Sequence, residues 1–142
     1  MSYFTMQELT TSQQAKKYNI DNTPSPDIKV KILNLINNCL DPIREAWGKP
    51  IIVNSGFRCY TLNVKVGGAA GSLHTKGMAA DITTGSVISN KRLYRLIKTM
   101  VKDGNLSVHK CINEFGFRWL HVSYISDEKN GKFFYYSVHD SN

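Results

Sequence analysis

Ser72-Leu73-His74-Thr75-Lys76-Gly77-Met78-Ala79-Ala80-Asp81-Ile82-Thr83 runs an approach segment, a turn and a strand together. His74 ends the approach, Lys76-Gly77 permits the turn, and the strand from Met78 to Thr83 alternates faces. Met78, Ala80 and Ile82 point one way, and Ala79, Asp81 and Thr83 the other. Asp81 therefore folds back beside His74, with the small Ala79 leaving room between them. A second segment, Trp119-Leu120-His121-Val122-Ser123, alternates in the same manner. His121 shares a face with Trp119 and Ser123, opposite Leu120, Val122 and Tyr124.

Outward from these segments, the patterns alternate between helix and strand. Val108–Phe115 and Arg118–Tyr124 flank Gly116 as a predicted hairpin. Ile51-Ile52-Val53 reads as a short buried strand, and Phe133-Phe134-Tyr135-Tyr136 as an edge strand. Thr5-Met6-Gln7-Glu8 has the form of a capping box and starts a short helix. Ser12 caps a second brief turn running to Tyr18. A longer helix begins with Ser25 at the N-cap, Pro26 at the first helical position and Asp27 in the first turn. Its apolar face holds Ile28, Ile32, Leu35, Ile36, Cys39, Leu40 and Ile43, and Pro42 is expected to bend or split it. Residues 67–72 read as an ordered Gly- and Ala-rich loop. Ser89 is expected to cap a third helix with Leu93, Leu96, Ile97, Met100 and Val101 inward, stopped by Gly104. The sum is an α+β fold, helices packed on a small antiparallel sheet. At 142 residues it is read as one domain, 1–142, with its core at about 4–124.

Apolar residues make up 42% and charged residues 20%, the balance of a soluble globular chain rather than a disordered one. No apolar run approaches the roughly 20 residues a membrane span needs. Met1–Glu8 lacks a basic region followed by an apolar stretch, so no signal peptide is visible. The expectation is a chain made in the cytoplasm. The net charge of +7 favours polyanions, including the anionic wall of a bacterium. The basic residues are scattered, however, and signal no specific nucleic-acid site. Three cysteines, Cys39, Cys59 and Cys111, without a Cys-x-x-Cys pair, read as reduced and mostly buried. His109 and His139 read as surface residues.

Two imidazoles and a carboxylate suit zinc, which takes three protein ligands in a catalytic site and leaves one position for water. On spacing alone a structural role for these histidines stands beside the metal reading.

The wider motif string narrows the choice. Thr23-Pro24-Ser25-Pro26, Asp41-Pro42-Ile43-Arg44, Trp47-Gly48-Lys49-Pro50-Ile51 and Ser55-Gly56-Phe57-Arg58 are followed by Leu62-Asn63-x-x-Val66-Gly67-Gly68, then by the His74 and His121 blocks. This order resembles the zinc D-Ala-D-Ala carboxypeptidase family, above all the subgroup (subfamily A) found in phage lysins and bacterial cell-wall enzymes. The resemblance runs from about Phe4 to Tyr124. It implies a fold shared with lysostaphin-type endopeptidases and the hedgehog signalling domain. It also implies Zn2+ held by His74, Asp81 and His121, and a peptidoglycan peptide substrate cut next to D-amino acids.

Carried over by position, Arg58 resembles the arginine that holds a substrate carboxylate or carbonyl, a role suited to a planar fork of donors. A structural surface pair is its other reading. Ser72 resembles a substrate-contacting serine, or else a residue that orders its loop. Many relatives place an acid three residues before the last histidine, where this chain has Arg118. The subgroup resembles this chain in having a glutamate before the hairpin turn, here Glu114, as general base. With a two-residue turn at Gly116-Phe117, Glu114 pairs with Trp119 and shares the face of His121. With a three-residue loop it faces away.

The resulting expectation is a monomeric zinc peptidase, carboxypeptidase or endopeptidase, of the kind used as a phage endolysin. It would act on the cell wall after release or export. A catalytically inactive zinc module that recognises wall peptides or a protein is the first alternative, and a basic nucleic-acid-binding domain the second.

Overall fold

The computed structural model describes residues 2–126 and the backbone of 133–136. The architecture is α+β. Five strands stand in the order β1-β2-β4-β3-β5: β1 (Ile52–Ser55), β2 (Ala79–Thr83), β3 (Lys110–Glu114), β4 (Trp119–Ser123) and β5 (Phe133–Tyr136). The first four pair antiparallel. The edge strand anticipated at 133–136 is present, and it joins β3 in parallel. His139 lies outside the described residues.

Helix starts follow the local chemistry. In α1 (Met6–Thr10) Thr5 and Glu8 cap one another reciprocally, and Ser12 caps α2 (Gln13–Lys17). Ser25 caps α3 (Pro26–Leu35), with Pro26 at its first position, where no backbone donor is needed. Just before Pro42 the helix is divided, though not ended. A π turn at Ile36–Leu40 carries the chain into α4 (Asp41–Trp47), with the Asp41 N–H bonded to the Ile36 carbonyl five residues back. The wider turn accommodates a proline that would clash with the carbonyl four residues before it.

The cap of α6 (Val87–Lys102) is Ser86, not Ser89. The Ser86 hydroxyl accepts from the Ser89 N–H, so the helix starts three residues early. Asn90, Leu93, Tyr94 and Ile97 form its buried face, while Leu96, Met100 and Val101 pack at the margin of the core. Ile51 is buried, but β1 itself is an edge strand rather than a buried one, and Ile52 is 56% exposed. His109 is half-buried, and its backbone N–H donates to the Ser123 carbonyl at 2.7 Å.

The core lies on one face of the sheet. Ala80, Ile82, Leu120, Val122 and Cys111 meet Ile32, Leu35, Ile36, Leu40 and Ile43 from the long helix and Leu93 and Ile97 from α6. Burying side chains of this size is worth about 1.5–3 kcal/mol each, which fixes the strand register. Period-two alternation then forces Asp81 and His121 onto the opposite face.

Candidate metal centre

Three elements bring the donors together. His74 lies in a 3-10 turn (Leu73–Lys76) capped by Ser72, whose Oγ accepts from the His74 N–H at 3.2 Å. Gly77 closes that turn at φ +71, a left-handed conformation that favours glycine. A Cβ there would also press on Ile32 and Ile28. The chain then enters β2, where Asp81 pairs directly with His121 of β4.

The ligand atoms of His74, Asp81 and His121 lie within 4.8 Å of one another. His74 Nε2 is 3.3 Å and His121 Nδ1 3.1 Å from the same Asp81 Oδ1. Tetrahedral zinc with bonds near 2 Å separates adjacent ligand atoms by about 3.3 Å, so this donor set fits such an ion. The second nitrogen of His74 supplies an independent sign. Its Nδ1 lies 2.7 Å from the Gly56 carbonyl, to which it donates. That bond selects the tautomer with a lone pair on Nε2, as a metal ligand requires. His74 is only 3% exposed. Burial pushes the Asp81 carboxyl upward, but without an ion the His121 and His74 rings, when protonated, outweigh it and hold the group below the usual carboxylate range. It is therefore ionised.

Arg58 stands on the rim. Its backbone N–H bonds the His74 carbonyl at 3.1 Å, tying the arginine loop to the histidine turn. Its Nε donates to Asn63 Oδ1 at 3.2 Å and its Nη1 to Ser55 Oγ at 3.1 Å. Both partners are neutral, and among the described residues no carboxylate pairs with Arg58. Partial burial lowers its pKa, while the fields of Asp81 and Glu114 raise it. Of the five donor hydrogens on a guanidinium, these two bonds leave three.

The structure pairs Glu114 with Trp119, on the face of His121, and its Oε1 is 3.9 Å from His121 Nδ1. The register foreseen for a two-residue turn thus holds, although the loop is four residues, 115–118. Phe115, Gly116 and Phe117 all have positive φ. Buried Asn90 stabilises this bend by donating to the carbonyls of Phe117 and Arg118, at 2.8 and 3.1 Å. Arg118 is exposed.

Sequence reasoning missed the residues that support the site. Asn63 holds Arg58 and donates to the Ala69 carbonyl at 3.1 Å, ordering the Gly-rich loop. Asn22 Oδ1 accepts from the Cys59 N–H, and its Nδ2 donates to Thr10 and Phe57 carbonyls. Asn63 stood within a quoted motif, but nothing local disclosed its partner. Cys59 caps α5 (Tyr60–Lys65) through a Leu62 N–H···Sγ bond.

A cleft of about 460 Å³ opens beside Asp81, lined also by Arg58, Trp119, Ser55 and residues of the α1–α2 turn. Fold and donor set together define an α+β protein in which two sheet residues and one turn residue form a centre able to bind a metal.

The peptidase M15 family model matches residues 2–122, and the chain belongs to that family. A 48-residue stretch is 54% identical to the zinc D-Ala-D-Ala carboxypeptidase of Streptomyces albus G. The match covers 33% of this chain and 19% of that protein.

Proposed function

We propose that this protein is a zinc peptidase that hydrolyses an amide bond next to a D-amino acid in peptidoglycan stem or cross-link peptides. The observation that carries the reading is the His74–Asp81–His121 cluster, with His74 Nε2 freed by the Gly56 carbonyl, beside an open cleft in a peptidase M15 chain. His74, Asp81 and His121 would hold the ion. When bound, zinc supplies Lewis-acid polarisation of the scissile carbonyl and lowers the pKa of the attacking water.

The remaining chemistry belongs to the side chains. Glu114, reaching His121 from the adjacent strand, takes a proton from the attacking water and delivers it to the leaving amine. Arg58, steadied by Asn63 and Ser55, turns its remaining donors toward a substrate carboxylate or carbonyl. Ser72 acts by shaping the turn under His74, through its bond to the His74 N–H.

The test is to load the protein with zinc, incubate it with defined stem and cross-linked peptides, and read the products by mass with and without chelator. Cleavage beside a D-residue that chelator abolishes is expected. Stoichiometric zinc with no product from any peptide would support an inactive peptide-recognition module instead. The exposed Arg118, where many relatives carry an acid, is the observation favouring that second reading.

A further inference from the structure

The cleft beside Asp81 does not stop at the metal centre. A second groove of about 450 Å³ lies along β1 and shares Thr11, Gln13 and Asn54 with it. One wall is β1, whose only sheet neighbour among the described residues is β2. The other is α1 and the turn after it. The outer edge of such a strand presents backbone donors and acceptors that no sheet neighbour takes up.

The lining mixes neutral polar groups with aliphatic ones. Gln13 and Asn54 are exposed carboxamides, each offering a donor and an acceptor, the same pair that a peptide unit carries. Thr11 adds a hydroxyl. The charged group in the groove, Glu8, is engaged with its own helix terminus, its Oε1 accepting from the Thr5 N–H at 3.2 Å. Ile52, 56% exposed on the strand, offers an apolar contact.

We infer that the groove between α1 and β1 is an extended-peptide subsite, in which substrate chain leaving the metal centre lies along the β1 edge, clasped by Gln13 and Asn54. The inference rests on the peptidase reading and deepens it. Four strand residues at about 3.3 Å each give room for about four extended substrate residues, bound by strand addition. The substrate is then a peptide that continues well past the scissile bond.

The test uses zinc-loaded protein and peptides lengthened one residue at a time on either side of the D-residue. Affinity is read as KM where a peptide is cleaved and as Kd where it is not, so the ladder stays informative if the peptidase reading fails. One of the two series should gain at least tenfold over four added residues. The double variant Asn54→Ala/Gln13→Ala should lose that gain. N-methylation of the added amides should abolish it in the unaltered protein, which keeps the test independent of whether the variant folds. A flat ladder on both sides, or a gain that survives both changes, overturns the inference. A gain that follows attached sugar rather than peptide length overturns it in favour of a saccharide subsite.

Discussion

The Gly56 carbonyl and the His74 imidazole are coupled at 2.7 Å, joining the end of β1 to the metal centre. Gly56 also packs tightly against α1, since a Cβ there would run into the Leu9 carbonyl. The residue that allows α1 to dock thus also fixes the tautomer of His74. Gly56→Ala should destabilise the fold by at least about 1–3 kcal/mol through overpacking. It should also weaken zinc binding by about 10–100-fold, the usual cost of disturbing a partner of a metal ligand. Thermal melts with zinc titration check both; an unchanged zinc affinity would uncouple the two roles.

Removing the metal should lower the melting temperature, because an ion bound only by the folded state stabilises it by about 2.7 kcal/mol at a hundredfold excess over Kd. His74→Ala, Asp81→Ala and His121→Ala should each lose most bound zinc. Metal content after dialysis measures this, and full retention in all three would refute the assignment.

Glu114→Gln should keep zinc and stability but lose at least about 100-fold in turnover, since the amide preserves shape and cannot accept a proton. Near-normal turnover would pass the role to another group. Loss of zinc would make Glu114 part of the metal shell, which its 3.9 Å approach to His121 leaves open to test.

Arg58→Ala should retain zinc while raising KM, and Arg58→Lys should recover little, because a point charge lacks the planar fork. Asn63→Ala should produce a smaller rise of the same kind, since it frees the Arg58 Nε that Asn63 now holds. Unchanged KM in Arg58→Ala would leave the arginine a purely structural role.

The cysteines give a pH prediction. Burial pushes the Cys39 thiol up to about 12 and that of Cys111 well above its ordinary value. An unfolded thiol ionises near 8.5, so between these values the unfolded state binds fewer protons than the folded one. Stability should therefore fall as pH rises from about 8.5 toward about 12. Cys39→Ala should flatten the slope while costing stability at neutral pH. A thiol reagent at pH 8 should label half-buried Cys59 ahead of the two buried thiols; equal rates would show that the core opens readily.

Much of the site was legible because it is local. Ser72 to Asp81 spans a single turn and strand, and alternation alone places Asp81 and His121 on a common type of face. The start of α3 was equally readable, since Ser25 and Pro26 act on neighbouring backbone groups. Where competing local signals existed the sequence misled. Ser86 and Ser89 are both good caps, and in the structure Ser86 takes the role in a helix that buries Asn90 and Leu93. Three apolar residues at 51–53 suggested burial, yet the strand falls at the sheet edge, a matter of topology rather than composition.

By itself, then, the sequence determined the element types and the two faces of each strand, because these follow from periodicities of two and 3.6, while the three donors were singled out by the resemblance of its motifs. Tertiary structure alone decided which donors meet. Asp81 and His121 are forty residues apart, and their pairing depends on β2 lying beside β4. It alone decided the tautomer of His74, through a carbonyl eighteen residues away. It also chose the face of Glu114, through a four-residue bend that buried Asn90 supports from another helix. Long-range contacts of this kind carry no local sequence signature, since each partner is chosen by packing across the chain.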